Sequence, residues 1–243
     1  MLVLQGGPET GPPLPHSESA VTEPFPTKLY GRRKGPKLSA HKEDLRRTLL
    51  PRLALRIEHG ADPRACFEAA DDVWLEIGFG AGEHLLALAR ANPNVGLIGA
   101  EPYEAGVAKL LSHMADDPPP NLRVHEGDAR DIITALPDGS LGRVFILFPD
   151  PWPKTRHHKR RFIQTAMLDD LARVMRLGAE LRFASDDAPY TEWTLERAMA
   201  HSAFAWTASG RTDWNVRPPG WPPTRYEAKS LHGPPVYLRF TRT

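Results

Sequence analysis

The fold of this chain is decided by the stretch Val73-Trp74-Leu75-Glu76-Ile77-Gly78-Phe79-Gly80-Ala81-Gly82-Glu83-His84. Its pattern predicts a strand, a glycine-rich turn and the start of a helix, since glycines allow positive φ and a close approach of ligand to backbone. The spacing is Gly78-x-Gly80-x-Gly82. A dinucleotide fingerprint, G-x-G-x-x-G, would need glycine at position 83, where Glu stands. The stretch therefore predicts a nucleotide site but argues against NAD.

Acidic residues stand at the ends of three successive predicted strands. They are Glu76, Glu101 and Asp128. The carboxyl ends of neighbouring parallel strands meet in the crevice where open α/β sheets bind ligands. There, Glu101 is suited to both ribose hydroxyls and Asp128 to an adenine amino group, whereas Glu76 would repel a pyrophosphate. Each acid alone is more often a helix cap or turn residue. Together they favour a cationic ligand, and the amino and sulfonium groups of S-adenosylmethionine fit.

Outward from this stretch, apolar runs alternate with amphipathic segments, which predicts an α/β fold with a mainly parallel sheet. Strands are predicted near 73–78, 95–101, 121–126, 141–148 and 179–185, and helices near 82–91, 103–114, 129–135, 159–175 and 188–201. A late pair of strands near 203–209 and 235–242 predicts an antiparallel edge, with a proline-rich loop at 217–223 between them. Residues 41–57 are predicted to be partly helical, with a break at Pro51.

The amino-acid composition limits which binding sites and which cellular location are expected for this protein. The 243 residues carry 31 Lys and Arg against 30 Asp and Glu, so any affinity for nucleic acid must come from local clusters. The single Cys66 excludes an internal disulfide and argues against a thiolate metal site, and no metal is expected. Neither a membrane-spanning apolar run nor a signal peptide is visible. We expect a cytoplasmic protein without a membrane partner.

The N-terminal part predicts an extension, residues 1–40, ahead of a single domain at 41–243. Residues 1–27 are rich in Pro, Gly, Glu, Ser and Thr, which predicts disorder. Residues 28–37 (KLYGRRKGPK) then carry five basic residues and no acid. This basic arm is interpreted in two ways, as a solvated tail or as a segment that orders on RNA.

A second distinctive stretch is Phe148-Pro149-Asp150-Pro151-Trp152-Pro153-Lys154. Its prolines stiffen the loop, so an acid and an aromatic ring are held on rigid backbone. Trp152 would either stack on a base or pack between the prolines. A basic segment follows, Arg156-His157-His158-Lys159-Arg160-Arg161. Cations oppose the dipole at a helix N-terminus, so their position here favours phosphate binding over a solvated helix start. The two histidines are predicted as RNA contacts or surface residues.

These residues resemble the bacterial tRNA (guanine-N7-)-methyltransferases, the TrmB family of class I S-adenosylmethionine-dependent enzymes. The resemblance runs from about Leu29 to the C-terminus. It is carried by LEIGFGAG (75–82), GAEPY (99–103), EGDA (126–129) and, most specifically, FPDPWPKTRHHKRR (148–161). It implies a Rossmann-like fold, with a mainly parallel seven-stranded sheet, an antiparallel edge and helices on both faces. It also implies methyl transfer from S-adenosylmethionine to N7 of the variable-loop guanine of tRNA.

The resemblance also implies roles for individual residues. Asp150 matches the family's proposed catalytic acid, which also borders the cofactor. The other predicted cofactor-binding residues are Glu76, Gly78, Gly80, Gly82, Glu101 and Asp128. The predicted substrate contacts are Lys154, Arg156, His157, His158, Lys159, Arg160, Arg161, Asp186, Thr224, Arg225, Tyr226 and Glu227.

Two departures from the family pattern stand out. The family usually has Thr-Lys-Phe-Glu where Thr224-Arg225-Tyr226-Glu227 stands, and the replacements alter donor geometry and add a hydroxyl. Many members carry Trp directly after the acid equivalent to Asp186. Here Asp187 and Ala188 follow, which leaves the role of 187–191 open.

The implied chemistry needs no base before bond formation, because guanine N7 presents a lone pair and carries no proton at neutral pH. Catalysis should come from alignment of N7, methyl carbon and sulfur, and from a carboxylate that stabilises the positive charge developing on guanine. Asp150 is therefore assigned to guanine recognition and electrostatic support, with proton abstraction as the alternative.

Other functions stay open from sequence alone. They are a methyltransferase for DNA, a small molecule or a protein amine, a non-catalytic RNA-binding module, and a nicotinamide oxidoreductase. The basic loop beside Asp150 favours RNA over the first group. The sequence leaves the oligomeric state, monomer or homodimer, undecided.

Overall fold

The computed structural model describes residues 29–224, 227 and 231–243. The predicted disorder of residues 1–27 and the basic residue Lys28 lie outside these ranges. So do two of the predicted substrate contacts, Arg225 and Tyr226.

Seven strands form one sheet within the described ranges. They are β1 (Asp72–Ile77), β2 (Val95–Ala100), β3 (Leu122–His125), β4 (Leu141–Leu147), β5 (Met175–Ser185), β6 (Phe204–Trp206) and β7 (Val236–Arg242). Their order is β3-β2-β1-β4-β5-β7-β6. The first five strands are parallel, and β7 runs antiparallel between β5 and β6. This confirms the predicted sheet. Because β1 lies between β2 and β4, the strand order reverses there, and a crevice opens at the carboxyl ends.

Helices cover both faces of the sheet. They are α1 (Ala40–Thr48), α2 (Leu50–Leu53), α3 (Glu83–Ala91), α4 (Glu104–His113), α5 (Ala129–Ala135), α6 (Thr165–Val174), α7 (Ala188–Ala200) and α8 (Thr212–Asn215). Side chains of β4 alternate between two buried clusters. Val144 and Ile146 belong to the cluster with α5, α6 and α7, whereas Phe145 and Leu147 belong to the cluster with α3 and α4. No helix in the described ranges is long and apolar enough to span a membrane.

The helix predicted at 159–175 was wrong for its first six residues. A 3₁₀ helix, Thr155–Arg160, precedes α6, which begins at Thr165. The reason lies in a distant side chain, because the buried Tyr190 hydroxyl accepts hydrogen bonds from the backbone N–H groups of Phe162 (2.9 Å) and Ile163 (3.3 Å). The basic segment therefore lies ahead of the α-helix, and the argument from its dipole does not apply.

The break predicted at Pro51 was also misplaced. The helix ends at Thr48, and Pro51 lies in the first turn of α2. A proline in a first turn loses no hydrogen bond, because its N–H would have no partner within the helix. The chain then leaves α2 and adds a single bridge, Ala54 to Val124, at the edge of β3.

Candidate active site

A cavity of about 720 Å³ opens at the carboxyl ends of the parallel strands, where the strand order reverses. Its wall contains Gly78 and Gly80 from the turn after β1, Glu101 after β2, Asp128 after β3 and Asp150 after β4. The fold thus brings five of the predicted cofactor residues to one place. A volume in this range is typical of a small-molecule site.

The glycine-rich turn adopts the backbone that its spacing predicts. Gly78, Gly80 and Gly82 have φ of 72°, 59° and 78°. The N–H of Gly80 donates to Oε2 of Glu101 (2.7 Å), which ties the turn to the next strand. Gly106 of α4 packs directly against the carbonyl oxygen of Gly80, where a side chain would overlap it. The sequence analysis missed Gly106, although a glycine within the first turn of a helix is a signal of close packing.

Glu101 is held rigidly at the cavity wall. It is 7 % exposed, and its Oε1 accepts the N–H of Tyr103 (2.8 Å) while Oε2 accepts that of Gly80. Burial raises the pKa of the Glu101 carboxyl, the two N–H donors oppose the rise, and the negative charge of Asp150 adds to it. The carboxylates of the site therefore repel one another, and a cationic ligand would reduce that repulsion.

Asp128 forms the helix cap predicted for it, and its position is compatible with the predicted contact with the cofactor. It caps α5 by accepting the N–H of Arg130 (3.1 Å) and pairs with the Arg130 side chain. It also lies in the cavity wall. A capping role and a ligand role are compatible here, because a carboxylate offers about four lone-pair positions.

Glu76 and Gly82 lie outside the cavity wall. Glu76 is 3 % exposed, and its Oε2 lies 2.7 Å from Nδ1 of His84, which is equally buried and stands edge-on to the ring of Phe145. The pair connects β1 to the first turn of α3 across the glycine turn. His84 was missed by the sequence analysis, and its visible role is to hold Glu76.

Asp150 lies on strained backbone. Phe148 and Trp152, two residues on either side of it, have φ of 51° and 47°, a region that non-glycine residues rarely enter. Such strain costs about 1–3 kcal/mol per residue and is typical of functional loops. The side chain is exposed to the cavity, yet the surrounding protein displaces enough water to raise the pKa of the Asp150 carboxyl. A positive charge bound in the cavity would therefore stabilise the ionised form of Asp150.

The basic arm lies across the rim of this cavity. Tyr30 and Trp152 meet edge to face at 6.4 Å, and the Arg160 guanidinium lies over both rings at 5.0 and 4.9 Å. Gly31 approaches Asp150 so closely that a Cβ there would lie 3.5 Å from Oδ2. Arg33 accepts a backbone hydrogen bond from the start of α4 (3.0 Å). In its described part the arm is therefore packed against the site, and it is no free tail.

The basic segment separates into exposed and buried members. Lys154, Arg156 and Lys159 are exposed, and Lys159 belongs to the cavity wall. Partial loss of hydration and the neighbouring cations lower the pKa of His157, whose ring stands edge-on to Trp152. His158 packs against Trp193. Both histidines therefore lie near the surface, where their rings pack against tryptophan side chains.

Arg161 differs from the exposed cations, because it is only 2 % exposed, although it forms part of the cavity wall. Its predicted contact with RNA stays a prediction. Its Nε donates to the carbonyl of Pro151 (2.8 Å), and its guanidinium lies between Tyr190 and Trp193. Burial lowers the pKa of this guanidinium. Arg161 therefore braces the Asp150 loop from below, a role that counting cations along the sequence could not distinguish from RNA contact.

Curated relatives share the greater part of this chain. Three of them carry the name tRNA (guanine-N(7)-)-methyltransferase. The protein of Rhodospirillum rubrum is 52% identical over 88% of this chain and 88% of its own length. That of Brucella anthropi is 47% identical over 88% and 94%, and that of a Caulobacter species is 44% identical over 96% and 99%. The family described as "Putative methyltransferase" matches residues 70–235.

The chain belongs to the tRNA (guanine-N(7)-)-methyltransferase family. Solved structures are more distant. The 16S rRNA methyltransferase KamB has a TM-score of 0.53 at 19% identity over 79% of this chain and 98% of its own. The antibiotic-resistance methyltransferase Kmr has a TM-score of 0.51 at 18% identity over 78% and 100%. They support the fold alone, the Rossmann-like class I methyltransferase fold. Membership in a methyltransferase family removes the nicotinamide oxidoreductase alternative.

In this member of the family, the other predicted substrate contacts form a separate group near β7. Oδ2 of Asp186 accepts the N–H of His232 (3.1 Å). Thr224 and Glu227 bond to each other, through the Thr224 N–H (3.3 Å) and the Glu227 N–H (3.0 Å), and Tyr237 donates to Glu227 (2.6 Å). None of the three described residues belongs to the cavity wall.

The structure also explains residues 187–191, where this chain departs from the methyltransferase family pattern. Asp187 caps α7 by accepting the N–H of Tyr190 (2.8 Å). Tyr190 then anchors Phe162 and Ile163, and burial raises the pKa of its hydroxyl. The segment therefore has a structural role, because it supports the chain that follows the basic segment.

We expect no metal ion at the methyltransferase site. Across the described ranges, no group of three His, Cys, Asp or Glu side chains is close enough to hold one. The absence of a metal in the working enzyme stays a prediction.

Proposed function

We propose that the chain transfers a methyl group from S-adenosylmethionine to N7 of a guanine in the variable loop of tRNA, in the cytoplasm. One observation carries the proposal. A strained acidic loop forms one wall of a nucleotide-sized cavity, and an aromatic and cationic cluster covers the same rim. Such a site offers a place for the methyl donor, an acid for the base and cations for the backbone.

The residues present fit S-adenosylmethionine. The glycine turn leaves backbone accessible to a ligand, and Glu101 and Asp128 offer acceptors to ribose and adenine. Raised carboxyl pKa values at Glu101 and Asp150 mark a site that a positive charge would stabilise. When bound, the cofactor supplies an electrophilic methyl group on a cationic sulfur.

The chain's own contribution is alignment and charge. Asp150 faces the cavity and would accept hydrogen bonds from the edge of guanine, which would hold N7 towards the methyl group that a bound cofactor would supply. As guanine becomes positive, attraction to the carboxylate grows, so the transition state gains more than the ground state. No proton needs to leave guanine before the new bond forms.

The decisive experiment is methyl transfer from labelled cofactor to unmodified tRNA, followed by mapping of the modified nucleotide. We expect N7-methylguanine in the variable loop. Label appearing instead on free guanosine, DNA or protein would overturn the proposed substrate. A chain that binds tRNA but shows no S-adenosylmethionine binding by calorimetry would support the non-catalytic alternative.

Substitution of Tyr30 tests the position of the arm. We expect Tyr30→Ala to raise the tRNA KM about tenfold, since aromatic and cation–π contacts contribute roughly 1–2 kcal/mol together. Tyr30→Phe keeps the ring and should behave like the unmodified protein. Steady-state kinetics at saturating cofactor provide the measurement. An unchanged KM in Tyr30→Ala would show that the contact with Trp152 and Arg160 has no part in RNA binding.

Cofactor binding should depend on pH. The pKa values of Glu101 and Asp150 are raised, so both carboxyls become protonated at a higher pH than ordinary acids. Protonation removes the charge that attracts the sulfonium, so affinity for S-adenosylmethionine should fall as the pH drops through those values and stay level above them. Calorimetry across pH measures this. S-adenosylhomocysteine lacks the sulfonium charge and should show a weaker dependence, whereas equal dependence would contradict the assignment.

A further inference from the structure

A second pocket lies at the edge of the sheet, away from the carboxyl ends of the strands. It has a volume of about 370 Å³ and is bounded by Pro51 and Arg52 of α2, by Ala54 and Arg56 of the segment after it, and by Cys66 and Arg123. Three of these six residues are arginines, and the described wall contains no acid. The pocket therefore has the charge of an anion site.

The three guanidinium groups are available to a ligand. Arg123 is held in place because its Nη1 donates to the carbonyls of Pro120 and Leu122 (both 2.8 Å), and its guanidinium lies 5.1 Å from the ring of Phe67. Arg52 and Arg56 are exposed, and neither has an ion pair within the described residues. Unpaired like charges around one pocket repel, and an anion would relieve that repulsion.

Asp62, an acid close to the pocket residue Cys66 in sequence, is already engaged. Asp62 accepts hydrogen bonds from both Nε (3.0 Å) and Nη2 (2.6 Å) of Arg64. That fork-to-fork pairing occupies the carboxylate, and the pKa of Asp62 is lowered by it. Asp62 therefore does not neutralise the pocket.

The surroundings favour a polynucleotide as the source of the anion. The chain between the cavity rim and the pocket, residues 29–56, contains nine Lys and Arg but only two Asp and Glu. Arg123 precedes Asp128 of the active site by five residues, so their Cα atoms lie within about 18 Å of each other. One folded RNA can reach both places.

We propose that Arg52, Arg56 and Arg123 form a phosphate site that holds the tRNA backbone while the target guanine occupies the cavity at Asp150. The inference rests on the proposed function and extends it by naming a second point of contact. The arginines bind backbone phosphate and therefore contribute affinity without affecting the methyl transfer step.

The test compares two double variants that each remove two exposed cations. Arg52→Gln with Arg56→Gln alters the pocket, and Arg90→Gln with Arg211→Gln is the matched control elsewhere on the surface. We expect the pocket variant to raise the tRNA KM about tenfold with kcat unchanged. The slope of log affinity against log salt should become about 1.5 smaller, as two lost phosphate contacts predict. Equal KM and equal slope in both variants would overturn the proposal.

Two further measurements separate the alternatives. Fluorescence anisotropy with labelled tRNA tests binding independently of methylation. Weaker tRNA binding by the pocket variant therefore supports the phosphate site even if the unmodified protein forms no N7-methylguanine. Melting in phosphate against chloride at equal ionic strength tests for a free anion. The RNA assignment would be overturned by two results together. Inorganic phosphate would stabilise the unmodified protein but not the pocket variant, and the pocket variant would bind tRNA as tightly as the control variant. S-adenosylmethionine affinity verifies that the variants are folded.

Discussion

Replacing Asp150 by asparagine should lower kcat about 100-fold and weaken S-adenosylmethionine binding, because the charge that attracts the sulfonium is lost, while tRNA affinity stays within a few-fold of the unmodified protein. Asparagine keeps the size and hydrogen-bonding capacity of the side chain but removes its charge. Loss of one preorganised electrostatic partner typically costs a factor of about 10²–10³ in kcat. Single-turnover methyl transfer at saturating substrates measures the chemical step directly. Near-normal turnover in Asp150→Asn combined with loss in Asp150→Ala would show that only the hydrogen bond matters.

The same substitution should leave the protein as stable as before or slightly more stable. The pKa of Asp150 is raised in the folded chain, so at neutral pH the ionised carboxyl is less favoured there than in the unfolded chain. Asparagine removes that cost, whereas below the ordinary pKa of aspartic acid both states are protonated and no difference remains. Thermal melting at pH 7 and at low pH measures this. A lower Tm at pH 7 would contradict an unfavourable environment for the charge.

Gly106→Ala should weaken S-adenosylmethionine binding at least tenfold. Alanine favours helix by about 1 kcal/mol over glycine, which alone would stabilise α4. At this position, however, the added methyl group meets the carbonyl oxygen of Gly80, which is backbone and cannot rotate away. Overpacking of this kind costs about 1–3 kcal/mol and would push the glycine turn into the cavity. Calorimetry with the cofactor and thermal melting measure the two effects.

Gly210→Ala is the matched control for that substitution. No atom lies within 4 Å of a Cβ built at Gly210, and its φ is not in the left-handed region. We expect unchanged cofactor affinity there. If Gly106→Ala also bound the cofactor normally, the contact between α4 and the glycine turn would not position the site.

The strands and the order of functional groups along them were predictable because they depend on local pattern. Apolar runs such as 141–147 identify buried strands, and the acids at their ends meet because parallel strands share an edge. The positive φ at Gly78, Gly80 and Gly82 was expected from glycine residues that lie in a turn between a strand and a helix. Local signals therefore located the cavity and the acids in its wall.

Contacts between distant parts of the chain were not predictable. The start of α6 depends on the Tyr190 hydroxyl, which arrives from a helix that follows in the chain. Arg161 lies in a run of basic residues, which predicts a contact with RNA, but tertiary packing between Tyr190 and Trp193 buries it. The arm at Tyr30 reaches Trp152 across the cavity. A single sequence carries no record of such pairings.

The left-handed backbone at Phe148 and Trp152 has a consequence for protein engineering. Glycine adopts that conformation without steric strain, so glycine at either position would relieve the strain, although it would also remove the contacts of the aromatic ring there. Each such substitution would loosen the segment that aims the acid between them. Glycine at this loop would therefore erode activity, and stabilised versions of the enzyme should be sought by changes elsewhere.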